Sequence, residues 1–258
     1  MRICAGVDAG SRSLKMVLLD AGTHAILRSG CVDQGVDQNA LAIQLFHDLV
    51  RGQGLQRGDV QRIVATGYGR NLVSLADATI TEITCHARGV RHLHPEARTV
   101  IEIGGQDSKV LLLNDAGGVR NFFMNDRCAA GTGRFLEMAA ARMGLTLDGL
   151  DDLARRGRNP SRISSQCAVF AETEIIGLLA SGVPPEDIVA GILASIATRV
   201  GVLAGRNVAD PIVFTGGVAL VPGMVQALQR VLNQPVFAAT APLLTGALGA
   251  AILAGERG

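Results

Sequence analysis

Short apolar runs alternate with glycine-rich turns along the first part of the chain. The runs Arg2–Val7 and Leu14–Asp20 flank the turn Asp8-Ala9-Gly10-Ser11, and this pattern predicts a β-hairpin. Leucines at helical spacing then predict a helix over Asn39–Val50. The other elements predicted in this part are two strands and a helix, in the order Ala25–Val32, Gln61–Thr66 and Ile80–Leu93.

The same succession of elements begins again near residue 99. Thr99–Ile103 and Lys109–Leu113 are predicted strands on either side of the turn Gly104-Gly105-Gln106-Asp107. The elements predicted after them are strands and helices in the order Val119–Met124 (strand), Gly133–Met143, Leu147–Arg156, Ala168–Ala180 and Pro185–Gly205 (helices), Pro211–Phe214 (strand), Gly223–Leu232 (helix), Pro235–Ala239 (strand) and a terminal helix from about Leu244. This internal parallel predicts an α/β fold of two related halves, whose glycine turns face each other across a cleft.

Composition and charge exclude several classes of protein. The 258 residues include 24 Lys and Arg against 23 Asp and Glu, and only 3% are aromatic, so we expect no nucleic-acid partner. No uninterrupted apolar run approaches about 18 residues, so we expect no membrane span, and the first residues do not resemble a signal peptide. Five cysteines are too few and odd in number for a disulfide framework. These features predict a cytoplasmic globular protein.

Three glycine turns, each directly after a predicted strand, are candidate phosphate sites. Backbone N–H groups converge in such turns without Cβ atoms in the way. In Asp8-Ala9-Gly10-Ser11 the carboxylate suits Mg²⁺, and Lys15 suits a phosphate oxygen. Glu102 and Asp107 flank the second turn, whereas the turn at Gly216-Gly217 has no charged group and suits a sugar or base. One such turn is more often an ordinary hairpin, but three in one chain favour a nucleotide site.

Two cysteines, Cys128 and Cys167, precede predicted helices among small residues. A helix N-terminus stabilises a thiolate, and thiolates bind zinc, copper(I) or iron–sulfur clusters. Two thiols are too few for a four-cysteine site, but a symmetric dimer would supply four. From spacing alone, buried inert thiols remain the alternative, and this is the interpretation kept for the three others, Cys4, Cys31 and Cys85. His86, beside Cys85, is expected to be a packed, hydrogen-bonded histidine.

Six longer motifs together resemble one family of proteins. They are Val7–Ser11, Ala65–Arg70, Ile103–Lys109, Asn125–Leu136, Ile163–Glu172 and Thr215–Ala219. The motifs are similar to those of the ATPase activators of 2-hydroxyacyl-CoA dehydratases, which are related to the ATPase subunits of benzoyl-CoA reductase. The resemblance covers essentially the whole chain.

The resemblance implies a fold, an assembly and a function. The fold is that of actin, sugar kinases and heat-shock chaperones, with one subdomain over residues 1–97 and the terminal helix 244–258, and a second over 98–243. The assembly is a homodimer with one [4Fe-4S] cluster bridging the subunits, held by Cys128 and Cys167 of each. ATP hydrolysis would drive one electron from this cluster to a 2-hydroxyacyl-CoA dehydratase or related acyl-CoA reductase component. The implied electron donor is ferredoxin or flavodoxin.

Matching the motifs residue by residue implies roles around ATP or ADP. Those on the phosphates and Mg²⁺ are Asp8, Gly10, Ser11 and Lys15. Those on the γ-phosphate side are Gly104 and Gly105, with Gln106 or Asp107 orienting the attacking water. Those accommodating adenosine are Gly216, Gly217, Gly246 and Ala247. Glu102 stands where the family often has Asp, which leaves its role open.

Two other functions fit the same fold. A small-molecule kinase would use the nucleotide turns to transfer phosphate to an acceptor, with structural cysteines and no iron. An actin-like filament or chaperone module would polymerise or respond to peptide, although the chain contains no recognisable peptide-binding domain.

Overall fold

Two mixed five-stranded sheets form the framework of the computed structural model, which describes residues 1–164, 167–205 and 208–256. Ser165 and Gln166 of the second cysteine motif lie outside the described residues, as do the last two residues of the predicted terminal helix.

The first sheet has the strand order β3-β2-β1-β4-β5. Its strands are β1 (Ile3–Ala9), β2 (Ser13–Asp20), β3 (Ala25–Asp33), β4 (Val60–Thr66) and β5 (Ala78–Thr79). β1, β2 and β3 are antiparallel neighbours, whereas β4 lies parallel to β1. Helix α1 (Gln38–Gly52) packs its buried residues Leu45, Phe46 and Leu49 against this sheet. Because β1 is covered on both faces, every one of its residues is buried.

The second sheet repeats this topology in the order β8-β7-β6-β9-β10. Its strands are β6 (Thr99–Ile103), β7 (Ser108–Leu113), β8 (Val119–Asn125), β9 (Ile212–Thr215) and β10 (Val236–Ala238). The helices of this half are α3 (Gly133–Arg142), α4 (Leu147–Arg156), α5 (Ala168–Ala180), α6 (Pro185–Ala204) and α7 (Met224–Leu232). The sequence prediction of two related halves is confirmed, since each sheet joins three antiparallel strands to parallel strands at the same place.

Helix α6 is long and apolar enough to cross a membrane by length and composition alone. Its residues Ile188, Ile192, Ile196 and Val200 recur at helical spacing and are buried in the core on the second sheet. This packing accounts for the apolar composition of the helix.

Helices α2 (Glu82–Leu93) and α8 (Thr245–Glu256) cross between the two sheets. An added Cβ at Gly89 would overlap Thr245 O, and one at Gly249 would overlap Cys85 O, so glycine is required for this close approach. α8 packs on the first sheet, whereas Ala87 and Val90 of α2 pack on the second. The predicted elements agree closely with the observed ones. The two-residue strand β5, which precedes α2, was not predicted because it is too short for a periodic signal.

Candidate functional site

A cleft of about 560 Å³ opens where the glycine turns of the two halves meet. Its lining includes predicted residues from all three turns, namely Asp8, Gly10, Ser11, Lys15, Gly104, Gly105, Gln106, Asp107, Gly216 and Gly217. The fold brings them together because each turn follows the innermost strands of its sheet. The volume lies in the range of small-molecule and cofactor sites.

The first glycine turn is flanked by a carboxylate and an ammonium group that lie side by side. Asp8 and Lys15 are cross-strand partners on β1 and β2, and Lys15 Nζ lies 3.6 Å from Asp8 Oδ2. An added Cβ at Gly10 would stand 2.9 Å from Lys15 Nζ, so glycine leaves room for this side chain. Both charges are largely buried, yet they border the cleft, where a metal ion and a phosphate would complete their coordination.

The second turn repeats this arrangement in a more enclosed form. Glu102 and Lys109 are cross-strand partners on β6 and β7. Lys109 Nζ lies 2.9 Å from Glu102 Oε2 and 2.7 Å from Asp107 Oδ2. Burial by itself would lower the pKa of Lys109, but the carboxylates of Glu102 and Asp107 outweigh it and raise this pKa well above its ordinary value. Lys109 therefore stays charged and holds both carboxylates in place.

Gln106 differs from its neighbour Asp107 in this turn. The Gln106 side chain is exposed on the cleft and makes no hydrogen bond within the described residues, whereas Asp107 is bound to Lys109. Of the two side chains predicted to orient water, Gln106 is therefore the one that no other described residue holds.

The third glycine turn lines the cleft with main-chain atoms. Gly216 has a φ of 90°, and an added Cβ there would overlap Ile103 O. Its N–H donates to Pro242 O at 3.0 Å, which ties the turn to the segment before α8. The Glu102 carboxylate lies against the same glycine, so it fills the space between the second and third turns.

Two predicted residues do not line the cleft. Gly246 and Ala247 are buried in the first turn of α8, behind Asp8 rather than beside an open wall. An added Cβ at Gly246 would stand 2.9 Å from Asp8 Oδ2, and Ala247 packs in a cluster with Val17. Their predicted role beside adenosine stays a prediction, and the structure places both residues behind the first glycine turn.

Sequence reasoning missed several residues of the cleft lining. They include Gly67, Tyr68, Glu82, His86, Pro242 and Leu243. The motif Ala65–Arg70 was noted without a role, although its position directly after β4 was a usable signal. Gly67 turns back on the first hairpin, where an added Cβ would crowd Asp8 and Ala9.

The cysteines fall into two groups. Cys4 and Cys85 are buried, as predicted, and burial raises the pKa of the Cys4 thiol. The prediction of a buried Cys31 is wrong, because Cys31 lies exposed on the edge strand β3. Cys128 and Cys167 are both exposed at the starts of helical segments.

Hydrogen bonds connect the segment that contains Cys128 to the second glycine turn of the cleft. The Asn125 side chain accepts from Cys128 N at 3.1 Å and donates to Cys128 O at 2.9 Å. A short 3₁₀ turn then leads to α3, whose first N–H groups, those of Gly133 and Arg134, donate to Gly104 O and Gly105 O at 2.9 and 2.8 Å. The second glycine turn thus caps the helix that follows Cys128.

Cys167 lies beside an exposed apolar surface. Val169 and Phe170 in the first turn of α5 are each 68% exposed, and Ile176 is exposed further along the helix. Within the described residues, no group of three or more His, Cys, Asp or Glu side chains is arranged to hold a metal ion.

Comparisons with known proteins agree with this geometry. The model of the BadF/BadG/BcrA/BcrD ATPase family matches residues 5–254. The activator of lactoyl-CoA dehydratase from Anaerotignum propionicum is 45% identical over 252 residues, which is 97% of this chain and 96% of that protein. The structure of the activator of 2-hydroxyisocaproyl-CoA dehydratase from Clostridium difficile with bound ADPNP matches with a TM-score of 0.93 at 43% identity, covering 99% of this chain and 95% of that one. A ROK family glucokinase from Streptomyces griseus shares the fold alone, with a TM-score of 0.58 at 17% identity over 99% of this chain and 100% of that one.

Proposed function

The chain belongs to the BadF/BadG/BcrA/BcrD ATPase family, and from this membership we propose that it is an ATP-driven one-electron reductase. Its partner is a 2-hydroxyacyl-CoA dehydratase or a related acyl-CoA reductase component. The observation that carries the proposal is the capping of α3 by Gly104 and Gly105, because it links the nucleotide cleft to the Cys128 loop.

The nucleotide half of the proposal rests on the charges of the cleft. Asp8 would hold Mg²⁺, Lys15 would neutralise phosphate oxygens, and the main chain at Gly10 and Gly105 would lie beside the phosphates. Gln106 orients the attacking water, since Asp107 is held by Lys109. Glu102 keeps Lys109 in place by accepting its hydrogen bond.

The cysteines fit an iron–sulfur cluster shared by two subunits. Both thiols are exposed, both directly precede a helical segment, and one chain supplies half of a four-cysteine set. The exposed apolar start of α5 supports a homodimer with this face at its interface. When bound, a [4Fe-4S] cluster supplies reversible one-electron transfer.

The contact between α3 and the second glycine turn provides a route by which ATP hydrolysis is coupled to electron transfer. A shift of the second turn on nucleotide hydrolysis would move the N-terminus of α3, and with it the loop that presents Cys128. Raising an electron by several hundred millivolts takes on the order of 10 kcal/mol, which is on the scale of nucleotide hydrolysis. We further propose the subdomain division 1–97 with the terminal helix and 98–243, a cytoplasmic location, and ferredoxin or flavodoxin as the electron donor.

Anaerobic iron analysis tests the proposal. We expect about four irons per dimer and an ATPase activity in the purified protein. Cys128→Ala and Cys167→Ala should each lose the iron, whereas Cys31→Ala is the matched control, because Cys31 is equally exposed but lies on the other half. Full iron content in Cys128→Ala would refute the ligand assignment. Phosphate transfer to a small acceptor by an iron-free protein would instead support the kinase alternative.

A further inference from the structure

His86 is a buried histidine that borders the nucleotide cleft and that the proposed function does not use. It lies on α2 with its side chain facing α8, and its Nδ1 is 2.9 Å from Thr245 Oγ1. The sequence-based expectation of a packed, hydrogen-bonded histidine is confirmed for this ring edge. The ring also contributes to the cleft lining, next to the first glycine turn.

The hydrogen bonds beyond Thr245 fix which ring nitrogen carries the proton. Thr215 Oγ1 lies 2.8 Å from Pro242 O, and because a carbonyl only accepts, the single hydroxyl proton of Thr215 points to Pro242. Thr245 Oγ1 lies 2.7 Å from Thr215 Oγ1, so the Thr245 hydroxyl must be the donor of that bond. With its own proton committed, Thr245 can only accept from His86, and therefore His86 Nδ1 is protonated.

This direction leaves Nε2 as a hydrogen-bond acceptor in the neutral ring. Nε2 makes no hydrogen bond within the described residues, and the imidazole borders the cleft. The ring is also a neighbour of the catalytic carboxylate, because an added Cβ at Gly246 would stand 3.2 Å from His86 Cε1 and 2.9 Å from Asp8 Oδ2. Gly246 thus lies beside both side chains, and its lack of a Cβ leaves room for them.

We propose that His86 is a positioning residue for ATP hydrolysis, whose Nε2 accepts a hydrogen bond from water held beside the Asp8 carboxylate. The chain from His86 through Thr245 and Thr215 to Pro242 keeps the acceptor nitrogen turned to this water. A purely structural histidine would need only its Nδ1 contact, whereas the placement of Nε2 serves the cleft. The inference rests on the proposed function, since it concerns the same nucleotide site.

Nitrogen-15 NMR of histidine-labelled protein at mildly alkaline pH tests the proton direction without reference to activity. We expect His86, identified by the signal missing in His86→Asn, to be protonated at Nδ1. Thr245→Val removes the acceptor and should shift the ring toward protonation at Nε2. Protonation at Nε2 in the unaltered protein would overturn the proposal.

ATPase kinetics test the role of Nε2. His86→Asn keeps an N–H near the Nδ1 position but has no group at Nε2, so kcat should fall by about tenfold or more with a change in KM for ATP below about threefold. His86→Gln, whose amide reaches the Nε2 position, should recover part of this loss. The control His47→Asn changes an exposed histidine on α1 and should match the unaltered protein.

The outcomes separate the two proposals. An unaltered protein without ATPase activity would refute the proposed function, and this inference with it. An active protein whose kcat is unchanged in a folded His86→Asn variant would refute only the role of His86, with folding checked by thermal unfolding.

Discussion

Arg12 Nε in the hairpin turn of the first half donates a hydrogen bond to Glu137 Oε1 on α3 of the second half, at 2.8 Å. This bond to Glu137, reinforced by the charge of Asp33, raises the pKa of Arg12 above its ordinary value. The second glycine turn packs on the same residue, since an added Cβ at Gly105 would stand 2.8 Å from Arg12 Cβ. The helix after Cys128 is therefore held from both sides of the cleft.

Loss of this ion pair should weaken nucleotide binding. Arg12→Ala and Glu137→Ala should each raise the Kd for ADPNP by about 1.4- to fivefold, because an exposed pair of this kind is worth about 0.2–1 kcal/mol toward the closed cleft. The double variant should be no worse than either single one. Calorimetric titration measures all three. Arg134→Ala, which removes a bond to Glu137 within the same helix, is the control, and additive losses would contradict a direct pair.

Lys109→Met should destabilise the fold strongly. It leaves the buried Glu102 carboxylate facing Asp107 without a cation, and an orphaned buried charge costs about 3–5 kcal/mol. Urea unfolding measures this loss. Lys15→Met, at the equivalent position of the first half, should cost less, because Lys15 is more exposed than Lys109 and its carboxylate partner Asp8 is 3.6 Å away. Equal losses of unfolding free energy in the two variants would show that burial does not distinguish the two ion pairs.

Stability should not respond to Lys109 in the neutral range. Its folded-state pKa is raised, so its contribution is fully present below the unfolded pKa of about 10.4 and is lost only as the pH rises toward the folded value. As the pH rises from neutral to weakly alkaline, the difference in unfolding free energy between the unaltered protein and Lys109→Met should thus not shrink. Below this range the orphaned carboxylates of the variant can take up protons, which reduces the difference. A difference that shrinks within this range would argue against the raised pKa.

Asn125→Ala should loosen the Cys128 loop. The change removes the two hydrogen bonds between the Asn125 side chain and the Cys128 main chain, so the iron of the proposed cluster should be lost to a chelator about tenfold faster than in the unaltered protein. Bleaching of the visible absorbance under anaerobic conditions reports the rate. Asn121→Ala on the same strand is the control, since among the described residues the Asn121 side chain accepts a hydrogen bond from its own neighbour, Phe122, alone. Equal bleaching rates in the two variants would show that Asn125 does not stabilise the Cys128 loop.

Gly133→Ala should separate ATP hydrolysis from reduction of the partner. An added Cβ would stand 3.1 Å from Gly104 O and 3.4 Å from Gly105 Cα, and it would push the start of α3 away from the second turn. We expect ATPase activity within about threefold of normal and a loss of partner activation of about tenfold or more. Gly58→Ala has no atom within 4 Å of the added Cβ and serves as the control. Parallel loss of both activities would place Gly133 in hydrolysis instead.

The sequence by itself determined the repeated order of strands, turns and helices, because apolar periodicity and glycine turns are local signals. It also identified ten of the cleft residues and the two exposed cysteines at helical starts. It did not indicate that Gly246 and Ala247, which match a motif, are buried behind Asp8 by the packing of α8. It failed for Cys31 because an edge strand and an inner strand have similar local patterns.

Only the tertiary structure decided which side chains share their protons and charges. Lys109 between two carboxylates, Arg12 against Glu137, and His86 with Thr245 and Thr215 all join residues on different elements. Residues 86 and 245 lie 159 positions apart, and no local pattern reports such a contact. The physical reason is that hydrogen-bond direction and charge pairing depend on distances set by the packing of two sheets, whereas periodicity depends only on neighbours along the chain.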